Sequence, residues 1–506
     1  MKHSNQLCSD NHGEALTPCH LPIPDELKSE WIALQNRRHF LGNGGKTLAL
    51  AGLASLLGDK VIGNVSETSA ASGSASGDTF PHFPGTAKRV ISLFMSGGPP
   101  QMETLDYKPI LEKWNGKDIP NSVKANSTGM TSGQARFPVA ASRWAFKQYG
   151  ESGRWISDLL PNTGKLADEM TVINSMHTDA INHEPAQLQF NTGSMIPGKP
   201  SMGAWLSYGL GSLNNNLPTY VVLTTQYTVG NAQPITSRLW GSGFLSSSYS
   251  GVQLRAAKDP VLYLKDPKGM DRQTRRDLLD AVNEMNRKTY QEFGDAETHS
   301  RIKQYEMAFR MQASVPELSD FSDEPASTWA LYGEEAKIPG SYAYNCLMAR
   351  RLAERGVRCT QVYKRGWDVN ANLKKDLPIL CREVDRANYA LVTDLKRRGM
   401  LDDTLVMWNG EFGRTVYSQG NKADGRDHHA DCFSMWLAGG GVKQGHLHGK
   451  TDDFSSSVVE DPVHASDLSA TILHALGINH EQFSFRFGGL DQRLTGVEHR
   501  KVVKAI

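Results

Sequence analysis

The stretch LKRRGMLDDTLVMWNGEFGRT, Leu395–Thr415, decides the fold. It reads as the end of a helix, a glycine stop, a strand and a polar turn. Upstream of it, Leu377, Leu380, Val384, Ala387, Leu391 and Leu395 recur at the three- and four-residue spacing of one helix face, and Gly399 ends the pattern. Thr404–Trp408 is then a short apolar run rich in strand formers. Asn409-Gly410-Glu411 breaks it with turn chemistry.

The same alternation repeats along the chain. Strand-like runs occupy Arg89–Met95, Met170–Asn174, Pro218–Thr224, Cys359–Tyr363 and Cys432–Ala438. Helical spacing recurs over Ser341–Gly356 and Ser466–Gly477, with Ser466 or Asp467 placed to cap the second helix. Residues 270–315 are highly charged and read as two exposed helices, an excursion spanning about 265–330. Strands that alternate with helices predict an α/β domain with a mostly parallel central sheet flanked by helices. In such sheets ligands bind beyond the carboxyl ends of the strands. The polar segments SGGPPQMETLD, HTDAINHE, GWD and NGEFGRT each follow a strand-like run, so they are expected to gather along one edge.

Bulk composition is that of an ordinary globular protein: 506 residues, 39% hydrophobic and 22% charged. A net charge of +1 offers no bulk electrostatic attraction to nucleic acid or acidic lipid. The six cysteines are sparse and form no CxxC pair, and a chain this long has no need of a disulfide framework. Residues 1–80 read as a tail with an export signal. Arg37-Arg38 is followed by the apolar TLALAGLASLLG and the small-residue stretch SETSAASGSASGDT, a twin-arginine pattern that directs the chain to the periplasm or cell surface. The apolar stretch is shorter than the ~18–20 residues that span a bilayer. Residues 81–506 form the predicted functional domain.

The loop GEFGRTVYSQGNKADGRDHHADC, Gly410–Cys432, concentrates the chemistry. Asp427, His428 and His429 are metal-ligand types, but neighbours in an extended segment point to opposite faces, so no more than two share an ion. Glu411, His183, His177, Asp179, Asp368, Glu103 and Asp106 are candidates to complete one or two sites. Mixed imidazole and carboxylate ligands suit zinc, iron or manganese, whereas carboxylates alone suit calcium or magnesium. Arg414 and Arg426 have the shape to hold an oxyanion, or Arg414 pairs with Glu411 and pins the loop. Ser96 is the nearest hydroxyl nucleophile to the turn at Gly97-Gly98, although no G-x-S-x-G elbow surrounds it. Trp367 reads as a packing residue.

Together SLFMSGGPPQMETLDYKP, NHEPAQLQFNTG, SMGAWLSYGLG, GWD, NGEFGRT, GRDHHADCFSMWLAGGGVKQG and DLSATILHALGI resemble the DUF1501 family. These are exported bacterial proteins, abundant in planctomycetes and related to the sulfatase and alkaline phosphatase superfamily. The resemblance covers about residues 37–506. It implies an alkaline-phosphatase-like α/β domain and, as inherited chemistry, metal-dependent hydrolysis of a sulfate or phosphate ester. The implied partner is a small anionic ester or sulfated polysaccharide, and the implied cofactor is divalent zinc, calcium, magnesium or manganese. The implied roles are metal ligation by Glu411, Asp427, His428, His429, His183, Asp368, Asp106 and Glu103, and catalysis by His428, Arg414, Arg426 and Ser96. The sequence also departs from the superfamily pattern. Met95-Ser96-Gly97 stands where a metal-binding Asp follows the first strand, Trp408-Asn409 stands where another Asp is usual, and the Cys/Ser-x-Pro-x-Arg signature is missing. Either the site is rebuilt from other residues, or the fold retains a non-catalytic role, binding polysaccharide or joining a surface complex.

Overall fold

The computed structural model describes residues 80–505, except 125–129, 131, 132, 256–268, 295 and 420–423. The tail, the twin-arginine stretch, Cys8 and Cys19 lie outside the described residues. The described residues belong to one compact unit, Ala71–Ile506.

A nine-stranded sheet forms its centre. The strands are β1 (Arg89–Met95), β2 (Met170–His177), β3 (Tyr220–Thr224), β4 (Val252–Leu254), β5 (Cys359–Lys364), β6 (Thr404–Asn409), β9 (Phe433–Ala438), β10 (Leu447–His448) and β11 (Val463–His464). Their order is β10–β2–β9–β6–β1–β5–β3–β4, and β11 also pairs with β2. All pairings are parallel except those of β9, which runs antiparallel to β2 and β6. The six strand-like runs of the sequence are six of these strands. The ends of β1, β2, β3, β5 and β6 therefore share one edge, where the polar segments were expected to meet.

Side-chain alternation explains why these strands read as unbroken apolar runs. In β1, Ile91, Leu93 and Met95 enter one core, and Val90 and Phe94 enter the other. In β6, Val406 and Trp408 divide from Leu405 and Met407 in the same way. The helix Leu373–Arg397 covers the first face with Leu377, Leu380, Val384, Ala387, Leu391 and Leu395, as its spacing predicts. The helix Ala465–Ala475 covers the second with Leu468, Ile472 and Leu473. Its cap differs from the expectation of Ser466 or Asp467. His464 is the N-cap and accepts from Ser466 N at 3.1 Å, while Asp467 returns a bond to His464 N at 3.0 Å. A histidine ring nitrogen here does the work that the sequence assigned to an oxygen.

The charged region forms two helices, Arg272–Phe293 and Ala296–Ser319. Arg276 links them through Glu306 at 2.7 Å. The far half of the second helix enters the core through Met311, Val315 and Leu318. Cys346, Cys359, Cys381 and Cys432 are buried free thiols. Among the described residues no helix is long and apolar enough to cross a membrane.

Candidate metal centre

Three connections bring the chemistry together at the shared edge. After β1 the chain turns sharply at Gly97, whose φ is +122°. A Cβ there would meet Asp368 N at 2.1 Å and Trp367 C at 2.4 Å, so glycine alone fits. After β2 a short loop leads into helix α1 (His183–Thr192), which begins with His183 itself. After β5, Trp367 buries its ring edge-on against Trp408 and anchors Asp368.

The polar loop after β6 folds back as a two-residue ribbon. β7 (Gly413–Arg414) pairs antiparallel with β8 (His428–His429), with Arg414 opposite His428. Strand alternation then separates the Asp-His-His triplet. His428 and Arg414 both reach Asp368, at 3.3 Å and 2.8 Å. His429 places its Nε2 2.9 Å from the Ser456 carbonyl instead. Asp427 accepts from the amide of His428 at 2.8 Å and from Gln419 at 3.4 Å.

His183, Asp368 and His428 each offer a ligand atom, and these atoms lie within 4.8 Å of one another. The two imidazoles meet edge to face with centroids 4.3 Å apart, and the buried ring of Phe412 lies 4.8 Å from each. His428 Nδ1 is 3.0 Å from the Ile181 carbonyl, and His183 Nδ1 is 2.8 Å from Glu411 Oε1. Each Nδ1 must therefore carry hydrogen. In the neutral ring that leaves a lone pair on Nε2. Both Nε2 atoms face the Asp368 carboxylate, and His183 Nε2 is buried without a hydrogen-bond partner, 3.5 Å from Oδ2.

Two lone pairs aimed at a carboxylate repel it unless ring protons or a metal ion lie between them. Ligands about 2.1 Å from an ion in tetrahedral geometry sit about 3.4 Å apart. His428 Nε2 lies 3.3 Å from Oδ1 and His183 Nε2 3.5 Å from Oδ2, near that spacing but to different oxygens of the carboxylate. The donor set of two imidazoles and a carboxylate, each imidazole backed by an oxygen acceptor, is suited to a transition metal.

Electrostatics treat the two rings differently. Asp368 is held far below the usual carboxylate range. Burial opposes this, but the His183 and His428 contacts and the Arg414 charge outweigh it. Burial also works against charging His183, yet Asp368 and Glu411 leave it raised. For His428 burial dominates and the ring is pushed down, towards the neutral form that a ligand needs.

Glu411 is fully buried and holds the arrangement from behind. Its oxygens accept from Gly97 N at 2.9 and 3.0 Å and from Gln187 Nε2 at 3.1 Å, besides His183. It thus supports a ligand and is not itself one of the three. Gln187 also donates to Ser96 Oγ at 3.0 Å, and Ser96 is fully buried. Gln233 Nε2 donates to Asp368 Oδ2 at 2.8 Å.

Several residues that the sequence singled out stand elsewhere. Glu103 ion-pairs with Arg426 at 2.5 Å, both side chains fully buried, and Arg426 also donates to the Thr415 and Ala140 carbonyls. Asp106 accepts from Thr451 and Ser455 at 2.6 and 2.7 Å and pairs with Lys108. Asp179 pairs with His464, whose ring stacks edge-on against His177. Arg414 pairs with Asp368 and not with Glu411. Its other side-chain bonds go to the carbonyls of Gly97, Gly98, Trp367 and Arg426. Both arginines are thus saturated inside the protein and turned away from solvent, which corrects their reading as oxyanion contacts.

Phe412, Gln187, Gln233 and the Ile181 carbonyl were missed in the sequence. Gln187 had a signal, since it lies four residues after His183 and shares its helix face. Gln233 had none: a bridge from Asn231 to Asp368 brings its loop in from β3.

A cleft of ≈ 380 Å³ opens beside His183 and Gln233. A larger cavity of ≈ 970 Å³ lies against the helix Ala296–Ser319, and none of the three candidate ligands lines it.

The family model described as "Protein of unknown function (DUF1501)" matches residues 87–506. No curated protein matches the chain. Similar solved structures include a protein in the alkaline phosphatase superfamily from Vibrio parahaemolyticus, at 12% identity over 79% of this chain and 70% of that one, with a TM-score of 0.33. Another is the PsFucS1 sulfatase from Pseudoalteromonas sp., at 12% identity over 68% of each chain, with a TM-score of 0.29. A third is a phosphonate monoester hydrolase from Silicibacter pomeroyi, at 13% identity over 63% of this chain and 68% of that one, with a TM-score of 0.27. Similarity at this level leaves the site to be read from its own residues.

Proposed function

We propose, for a chain that belongs to the DUF1501 family, an exported, metal-dependent hydrolase of anionic sulfate or phosphate esters. The observation that carries the reading is the pair of histidines whose Nδ1 atoms are anchored and whose Nε2 atoms converge on Asp368. His183, His428 and Asp368 would hold the ion. When bound, it polarises an ester oxygen and lowers the pKa of an attacking water.

The remaining roles belong to side chains that keep those three in place. Glu411 holds the Nδ1 hydrogen of His183, and the Ile181 carbonyl holds that of His428, so both rings are fixed in tautomer and angle. Arg414 and Gln233 each take one oxygen of Asp368 and orient the carboxylate. Phe412 excludes water from the faces of both rings. His428 has no nitrogen left to pass a proton to a substrate, so this reading assigns it to ligation and not to acid catalysis. Ser96 is too enclosed to attack a substrate. Export rests on the twin-arginine pattern at Arg37-Arg38.

The test is a screen of aryl sulfates and aryl phosphates with zinc, manganese, magnesium and calcium added singly. Turnover that needs a metal and disappears in His183→Ala supports the reading. No turnover with any metal removes it for these esters.

A second reading, a binding protein without turnover, is favoured by one observation: the Ser96 hydroxyl and the Arg414 and Arg426 guanidinium groups are all buried and hydrogen-bonded within the protein. Metal uptake and tight glycan binding without turnover would select it.

A further inference from the structure

Beside the candidate metal centre the cleft has its own chemistry. At ≈ 380 Å³ it is near the small end of small-molecule sites, which run from about 300 to 1,000 Å³. Its polar lining comes from Asn182, Gln187, Gln233 and Thr236, and Leu188 and Leu239 add apolar surface. Among the described residues neither lysine nor arginine lines it; Glu184 supplies a carboxylate and His183 an imidazole. The nearest guanidinium in the sequence, Arg238, is exposed and paired with Glu184 at 2.8 Å.

The amides are also oriented. Gln187 spends both Nε2 hydrogens on Ser96 and Glu411, and Gln233 donates from Nε2 to Asp368. Gln187 then has its carbonyl oxygen left to offer, and Gln233 its carbonyl oxygen and one Nε2 hydrogen. A wall of neutral amides and a hydroxyl, offering acceptors and donors, suits sugar hydroxyls, and the apolar residues suit the C–H faces between them. The same wall opposes a second anionic group, which would be desolvated with neither lysine nor arginine on the described wall to pair with.

From this we infer that the cleft takes a neutral polyhydroxylated group bearing one anionic ester, and rejects densely charged glycans. The inference rests on the proposed function for where the ester group sits, and it narrows the substrate to monoesters of sugar-like alcohols.

Titration calorimetry on the full chain tests it, with and without added zinc. The probes are glucose 6-sulfate, glucose 6-phosphate and a trisulfated heparin disaccharide, and the first two separate sulfate from phosphate. The expected result is that one of the single-ester probes binds at least about tenfold tighter than the disaccharide. Its affinity changes less than about threefold between roughly 50 and 300 mM salt. Thr236→Lys, at an exposed position, should strengthen binding of the disaccharide without moving Tm. Equal or tighter binding of the disaccharide by the unsubstituted protein, or no binding of any probe, overturns the inference. If zinc is not taken up but the single-ester preference persists, the hydrolase reading fails and the cleft inference stands.

Discussion

Replacing Glu411 with Gln tests the centre without touching a proposed ligand. The carboxylate accepts from three groups: Gly97 N through both oxygens, and His183 Nδ1 and Gln187 Nε2 through Oε1. A glutamine would keep its carbonyl at the Oε1 position, where three donors point, and turn its amino group to the Oε2 position. There it faces only Gly97 N, at 3.0 Å. The structural penalty is then one donor facing another, about 1–3 kcal/mol. The functional loss is the charge behind His183. A hydrogen bond to a charged group contributes about 1.5–3 kcal/mol, against about 0.5–1.5 for a neutral one. Loss of an outer support of a metal ligand weakens binding by about 10–100-fold, or roughly 1.4–2.7 kcal/mol. Zinc affinity measured by competition with a chelator should fall by that factor, while the protein still melts cooperatively. His183→Ala should fall further. If Glu411→Gln binds zinc as tightly as the unsubstituted protein while His183→Ala does not, the support role assigned to Glu411 is wrong. If neither changes, the centre itself is wrong.

Further outcomes distinguish the centre from its surroundings. His428→Asn should abolish stoichiometric zinc uptake, whereas His429→Asn, on the opposite face of the ribbon, should leave it within about threefold; equal effects would refute the alternation. Gly97→Ala should cost about 2–6 kcal/mol in urea unfolding, the sum of strain at positive φ and overlap with the Asp368 backbone, and a loss below about 1 kcal/mol would show that the turn is not held as described. Zinc affinity should fall with acid, because a proton competes for the His183 lone pair. Since the contacts with Asp368 and Glu411 raise that ring, the decline should begin above the ordinary histidine value of about 6.5. Affinity that stays constant from about pH 8 to pH 5 would count against His183 as a ligand.

The layout of the sheet was written locally. The strands of Leu395–Thr415 and its counterparts are apolar runs closed by glycine or polar turns, and the covering helices carry their buried faces at three- and four-residue spacing. Period and punctuation are properties of neighbouring residues, so one chain suffices to read them. That parallel strands end on one edge followed from the α/β alternation. It placed the segments that carry His183, Asp368 and Glu411 along one edge, while the return of His428 to that edge depended on the fold of its loop.

Tertiary structure decided which of the candidates meet. His428 and His429 are adjacent and chemically alike, and only the pairing of β8 with β7 turns one towards Asp368 and the other towards Ser456. Glu103 and Glu411 are both buried carboxylates; one has an arginine at 2.5 Å and the other a histidine at 2.8 Å. Those partners lie 323 and 228 residues away. A side chain's role in a buried polar cluster depends on what satisfies its last hydrogen bond. That partner comes from the packing of distant segments, and no local pattern in the sequence encodes it.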